Sequence, residues 1–292
     1  MKRKRLFENI VHGIFLTLGL ITVGCVLIIT VYLIASGIPA IREIGLGKFL
    51  FGKVWDPTNK TTGAEYGILP FILTSVYGTA GAVLLGVPVG FLTAVYLAKA
   101  APKKLKAVIE TAVSLLSGIP SVVYGLVGML ILVPGIRRIF HVPDGASLLA
   151  AIIVLAIIVL PSIIKVSMTA LEAVPKEYED ASLALGATPV ETWFRVSVPA
   201  ARSGIAAAVV LGVGRAIGEA MAVMMVAGNV ANMPSLFQSV RFLTTAVASE
   251  MSYSSPGSLH RQALFSIALV LFLFIMLINA TLNYFFKRNK EK

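Results

Sequence analysis

Residues 66–98 carry no Asp, Glu, Lys or Arg, and comparable apolar runs recur along the chain. A helix satisfies its own backbone polar groups within one segment, so long runs of this kind cross a bilayer as helices. Six segments reach the roughly 20 apolar residues that a span requires: 11–36, 68–98, 108–133, 146–170, 203–227 and 263–286. The mean hydropathy of +0.89 and the 13% of charged residues exclude a soluble domain. The expected fold class is an all-α membrane protein with six transmembrane helices.

The net charge of +11 suggests nucleic acid at first sight, but its distribution argues otherwise. Basic residues cluster beside the apolar runs, the pattern that orients membrane helices. With the N-terminus in the cytoplasm, sixteen Lys and Arg fall inside: Lys2, Arg3, Lys4, Arg5, Lys99, Lys103, Lys104, Lys106, Lys165, Lys176, Arg195, Arg202, Lys287, Arg288, Lys290 and Lys292. Eight fall outside: Arg42, Lys48, Lys53, Lys60, Arg137, Arg138, Arg241 and Arg261. The bias places both termini inside with an even number of spans. The first run is longer than the about 7–15 residues of a signal-peptide core, so it reads as a retained helix. Pro70 is expected to open the second run, and Pro88 to kink it or leave its end along the interface.

The connections are unequal. Outside, 37–67 and 228–262 are long; inside, 99–107 is short and basic while 171–202 is long. The chain divides into an N-terminal tail, first span and outer loop (1–67) and a core of five spans with the inner loop (68–292). No internal repeat marks two duplicated halves.

The inner loop is the most legible segment. Pro175 suits the first turn of a helix over 176–185, and Gly186 suits the position after its end, where positive φ is needed. Thr188 as N-cap, Pro189 at the first helical position and Glu191 at the third make a capping box. The short helix carries Ala181, Ser182 and Ala184 beside Glu177, Glu179 and Asp180, and such small side chains let another surface come close. Capping signals alone favour a solvated surface hairpin.

Arg215 and Glu219 interrupt the fifth run near its middle. A charge there is costly in lipid and faces a protein interior or a water-filled path. Four residues apart, the two are expected to share one helical face, and Gly214 and Gly218 form a G-x-x-x-G for close packing. Two readings fit: a structural ion pair that locks two helices, or an arginine that meets an anion while Glu219 holds or releases it. A guanidinium suits phosphate-like oxyanions because its fork donates two hydrogen bonds. Ser117, Gly118, Pro120 and Ser121 break the third run, where Pro120 frees a carbonyl that lines a cavity or simply kinks the helix. Tyr124 faces either a pathway or the lipid interface. Trp55, in the first outer loop, rests at the headgroup level or meets a partner. Glu110 and Lys165 lie close enough to the inner face for interfacial solvation and snorkelling.

Asp180-Ala181-Ser182, Gly186 and Val196-x-Val198-Pro199 resemble the EAA…G…I-x-L-P loop of bacterial ABC importer permeases, with conservative replacements at the same spacing. The resemblance implies a type I importer architecture whose cytoplasmic coupling helix docks on an ATPase subunit. It assigns Glu179, Asp180, Ala181, Ser182, Gly186 and Pro199 to that coupling. No G-x-x-x-x-G-K-[ST] loop occurs here, so ATP and Mg belong to the partner ATPase and this chain binds no cofactor. Three further segments are similar to phosphate importer permeases: Gly212-Val213-Gly214-Arg215-Ala216-Ile217-Gly218-Glu219-Ala220-Met221-Ala222-Val223, Gly118-Ile119-Pro120-Ser121-Val122-Val123-Tyr124-Gly125, and Trp55-Asp56-Pro57 with Tyr66-Gly67-Ile68-Leu69-Pro70. The last favours the PstC-type subunit. That resemblance implies a phosphate pathway lined by Arg215, Glu219, Ser117 and Ser121. It also implies a PstA-type second permease, two copies of a PstB-type ATPase and an extracytoplasmic PstS-type phosphate-binding protein at the bacterial cytoplasmic membrane.

His12, His141, His260 and Cys25 are too dispersed for a metal site, and no Ser/His/Asp nucleophile set is present, so no catalytic residue is expected. A permease for sulfate or molybdate is the closest alternative. An intramembrane enzyme using Glu219 has no need of an ATPase-docking loop. A subunit that transports nothing alone is partly contained in the leading reading.

Overall fold

The computed structural model describes residues 2–58 and 63–288. Lys60, Lys290 and Lys292, counted in the charge balance, lie outside them. Helix α1 (Lys2–Ile44) leads to a short α2 (Leu46–Phe51) and an antiparallel ribbon of β1 (Trp55–Asp56) and β2 (Glu65–Tyr66). The second run becomes α3 (Leu69–Val95), with Pro70 in its first turn, and continues as a π-helical turn to Ala100. It runs through Pro88 without ending there. Next come α4 (Lys103–Gly118), α5 (Ser121–Val127), a π turn, and α6 (Val133–Phe140). The central helix α7 (Leu148–Glu172) is capped by Ser147, whose hydroxyl accepts from the Ala150 N–H. The inner loop holds α8 (Lys176–Ala184), α9 (Pro189–Thr192) and α10 (Val198–Ala200). Then follow α11 (Arg202–Gly218), α12 (Met221–Val226), α13 (Leu243–Glu250) and α14 (Leu259–Arg288).

Among the described residues, five helices are long and apolar enough to span a bilayer: Ile10–Ile44, Leu69–Ala100, Ser121–Phe140, Leu148–Glu172 and Leu259–Leu282. A sixth crossing requires the bent pair Pro189–Ala200 and Arg202–Gly218, joined at 73°. Two expected spans therefore change. The third is not one helix over 108–133, because it breaks at Ile119–Pro120 and the apolar crossing starts at Ser121. The fifth, expected over 203–227, stops at Gly218 and restarts at Met221.

Helix α7 is the hub. Its buried residues include Val154, Leu155, Ile158, Val159 and Ile163, and α3 and α11 pack along it. In a membrane this association rests on close van der Waals contact, not on expelling water. Gly90 makes the approach possible, since a Cβ there would lie 2.8 Å from Ile163 Cγ2. Helix α1 stands mostly clear of the rest and joins α14 at its outer end. There Tyr32 meets Phe265 edge-on at 5.4 Å, and the Ser266 hydroxyl donates to the Gly37 carbonyl at 2.6 Å. Residues on both sides of position 67 share one apolar cluster, with Phe49, Trp55 and Tyr66 against Phe71, Leu243 and Leu264.

Candidate functional site

The break in the fifth span is built from its own sequence. Gly212, Gly214 and Gly218 weaken α11 toward its end, and Glu219 takes an extended conformation (φ −72°, ψ 124°). Both helix ends exposed by the break find partners. The Glu219 carboxylate accepts from the Ala222 N–H at 3.1 Å, at the start of α12, where negative charge is favoured. The Glu219 carbonyl accepts from the Thr244 hydroxyl of α13 at 2.9 Å. Arg215 and Glu219 thus do not share one continuous helical face, and no ion pair joins them among the described residues. Arg215 instead donates from Nη1 to the Ser162 hydroxyl of α7 at 3.3 Å. That is its one protein hydrogen bond among the described residues, so most of its five N–H donors remain unspent. The Gly214–Gly218 stripe does not pack within the chain either: a Cβ on either meets nothing within 4 Å. This face of α11 is open.

The third-span break sits beside it. Pro120 has no N–H to give the Leu116 carbonyl four residues back. The Tyr124 hydroxyl takes that place at 2.7 Å, with the Ile119 N–H at a longer 3.3 Å. Tyr124 is thereby held at the break. Gly125 lets α12 come close, since a Cβ there would fall 2.8 Å from the Ala222 Cα. The two segments 118–125 and 212–223, distant in sequence, therefore meet at their breaks. Ser117 is exposed and Ser121 half-buried on either side of Pro120, and neither reaches Arg215 or Glu219. Beside this junction lies an apolar cavity of about 430 Å³, lined by Leu116, Ile119, Tyr124, Ile153 and Ile157 among others.

In the inner loop the capping pattern is present: Thr188 Oγ1 accepts from the Glu191 N–H, and the Glu191 carboxylate accepts from the Thr188 N–H at 3.0 Å. Hydrogen bonds from the Thr188 N–H and hydroxyl to its carboxylate hold the Glu191 carboxyl below its ordinary pKa. Gly186 has φ +86° just past the end of α8. The six loop residues separate into two groups. Glu179 turns inward, where it pairs with Lys99 at the end of the second span and accepts from the Ser197 hydroxyl at 2.8 Å. Burial raises its pKa, but the Lys99 and Ser197 hydrogen bonds and the Lys99 and Lys176 charges outweigh that and hold it below the ordinary 4.5. Ser182 also turns inward, to the Thr192 hydroxyl at 2.9 Å. Asp180, Ala181, Gly186 and Pro199 face out. Around them stand exposed Tyr178, Leu183, Val190 and Phe194, and Leu185 at 90% exposure. These make an uncovered apolar surface over α8, α9 and the turn between them, and exposed apolar patches commonly mark interaction sites.

At the other end, Trp55 departs from expectation. It is buried, 7% exposed, and its indole N–H donates to both Glu250 oxygens at 3.0 and 3.2 Å. Glu250 also pairs with Arg241 and, at 2.8 Å, with His260. Arg241 in turn donates from Nε and Nη2 to the Asn229 carbonyl at 2.9 and 2.7 Å, where Asn229 holds a positive φ of 56°. A half-buried carboxylate thus ties the loop that carries Trp55 to α13 and α14. The sequence offered no local signal for it, because its partners lie up to 195 positions apart.

Residues 86–291 match the family described as "binding-protein-dependent transport system inner membrane component". The chain belongs to this family. It is therefore a multi-pass inner-membrane component of a transport system. Among curated relatives, the probable ABC transporter permease protein YqgH of Bacillus subtilis is 40% identical, over 89% of this chain and 86% of its own length. The phosphate transport system permease protein PstC of Haemophilus influenzae is 34% identical, over 84% of this chain and 82% of its own. Among solved structures, a chain of a bacterial ABC transporter for alginate import superposes with a TM-score of 0.62 at 13% identity, covering 97% of this chain and 99% of that one. A chain of the MetNI methionine ABC transporter gives 0.60 at 20% identity, covering 76% and 95%. At these identities the likeness establishes the fold, that of ABC importer permeases.

Proposed function

We propose that the chain is one of two permease subunits of an ATP-driven importer for inorganic phosphate, forming half of the translocation path. The observation that carries this is the state of Arg215: a guanidinium in the middle of a span, half-buried, bound to one hydroxyl and with donors to spare. A site of that kind suits a doubly charged oxyanion that arrives and leaves. Curated relatives named as phosphate permeases align over most of the chain, which favours phosphate over sulfate or molybdate.

The machine has further parts. The family's description implies a substrate-binding protein, and the ABC importer fold implies an ATPase. In this reading the second permease is PstA-type, two PstB-type ATPase copies hold ATP and Mg, and a PstS-type protein delivers phosphate from outside. Both termini lie in the cytoplasm. The patch around Leu185 seats in the ATPase, and the Lys99–Glu179 pair passes its movement to the end of the second span. Closing of the ATPase dimer then rocks the spans. The open face of α11 with Gly214 and Gly218 lies against the path or the second permease. The test is labelled phosphate uptake in phosphate-starved cells lacking this chain, with sulfate uptake as control. Selective loss of phosphate uptake, restored by the chain, is the expected result. Intact phosphate uptake with impaired sulfate uptake overturns the substrate.

A further inference from the structure

Two polar residues that read separately as interfacial share one cavity. Glu110 and Ser114 of α4 and Lys165 and Thr169 of α7 line a half-open space of about 280 Å³, together with Leu97 and Met168 among others. Lys165 is half-buried, and its ammonium has no hydrogen-bond or ion-pair partner among the described residues. Among the described residues Glu110 is engaged only by Lys106, at 3.8 Å. Seven residues separate Lys165 from the inner end of α7 at Glu172, about 10 Å of helix. A bare ammonium at that depth is stable only with water or a counter-ion.

The position of Lys165 is telling. Ser162, which holds Arg215, lies three residues before it on the same flank of α7 and about 4.5 Å further from the inner end. Thr169 continues that flank one turn on. Arg215, Ser162, Lys165 and Thr169 thus form a polar line from the broken span toward the inner loop.

Resting on the phosphate reading above, we infer that Lys165 is a second anion subsite on the inner side of Arg215, taking a phosphate-type oxyanion as it leaves. The two cations suit different tasks. A guanidinium fork fixes an oxyanion in orientation, whereas a hydrated ammonium on a flexible stem attracts it without fixing it. Conduction needs a site strong enough to be entered and weak enough to be left.

The test uses the complete transporter in proteoliposomes, with ATP-driven uptake of labelled phosphate and of labelled sulfate measured beside ATP hydrolysis. Lys165→Gln is expected to lower uptake at least tenfold with ATP hydrolysis retained. Uptake by Lys165→Gln within twofold of wild type overturns the subsite. Recovery in the swapped double variant Lys165→Glu with Glu110→Lys also overturns it, because that marks a closing ion pair instead. If Lys165→Gln does not assemble, Lys165→Cys in a Cys25→Ser background is treated with thiol reagents of either charge. Restoration by the cationic reagent alone supports the subsite, and equal effects of both overturn it. A wild-type complex that carries sulfate and not phosphate fails the substrate reading, and the subsite is then judged on sulfate.

Discussion

Single residues here carry weight through what they leave unpaired. Glu179 is held below its ordinary pKa of 4.5 by Lys99 and Ser197 against the opposing effect of burial. A depressed carboxyl adds stability that is full above its unfolded-state value and is lost as pH falls through the folded-state value. Glu179→Gln should therefore destabilise the purified chain at pH 7, by roughly 3 kcal/mol because Lys99 is left buried without its partner. The gap to wild type should narrow as pH drops below 4.5. Thermal unfolding across that range measures both. Tyr124→Phe removes the hydroxyl that stands in for the missing Pro120 N–H. It should cost about 1 kcal/mol in the same measurement, with little effect if the Ile119 N–H alone suffices for Leu116.

At the scale of elements, local signals were legible and distant ones were not. The capping box at Thr188 and the turn at Gly186 depend on neighbours within a few residues, and their residue types announced them. The break at Glu219 depends on Thr244, 25 residues on, so the segment read as one helix with a shared Arg215–Glu219 face. The Pro120 break was visible as a proline, but the partner that stabilises it, Tyr124, left two readings open. Gly186→Val puts a β-branched residue at φ +86°, a strained conformation costing on the order of 1–3 kcal/mol. The variant should hydrolyse ATP without matching phosphate uptake, if the α8–α9 turn docks on the ATPase as proposed. Normal coupling ratios would place the docking surface elsewhere.

Across the whole molecule, six apolar runs and their flanking charges were enough to give the class of fold. They could not show which runs are continuous, because breaks are set by contacts between spans. The result is a bundle around α7 with discontinuous third and fifth spans meeting at one junction, a charge-tied outer end and an apolar inner patch. Irregular backbone at membrane depth is tolerated where it is covered by protein or lines a wet cavity. The two breaks approach each other through Gly125 and Ala222, and the fifth-span break follows three residues after Arg215.

The most direct measurement is ATP-driven phosphate uptake by the reconstituted transporter carrying Arg215→Ala, with subunit composition and ATP hydrolysis followed in the same preparation. The expected result is an assembled complex that still hydrolyses ATP and has lost at least tenfold in uptake. Full uptake would contradict a role for Arg215 in the path, and failure to assemble would contradict it in favour of a structural one.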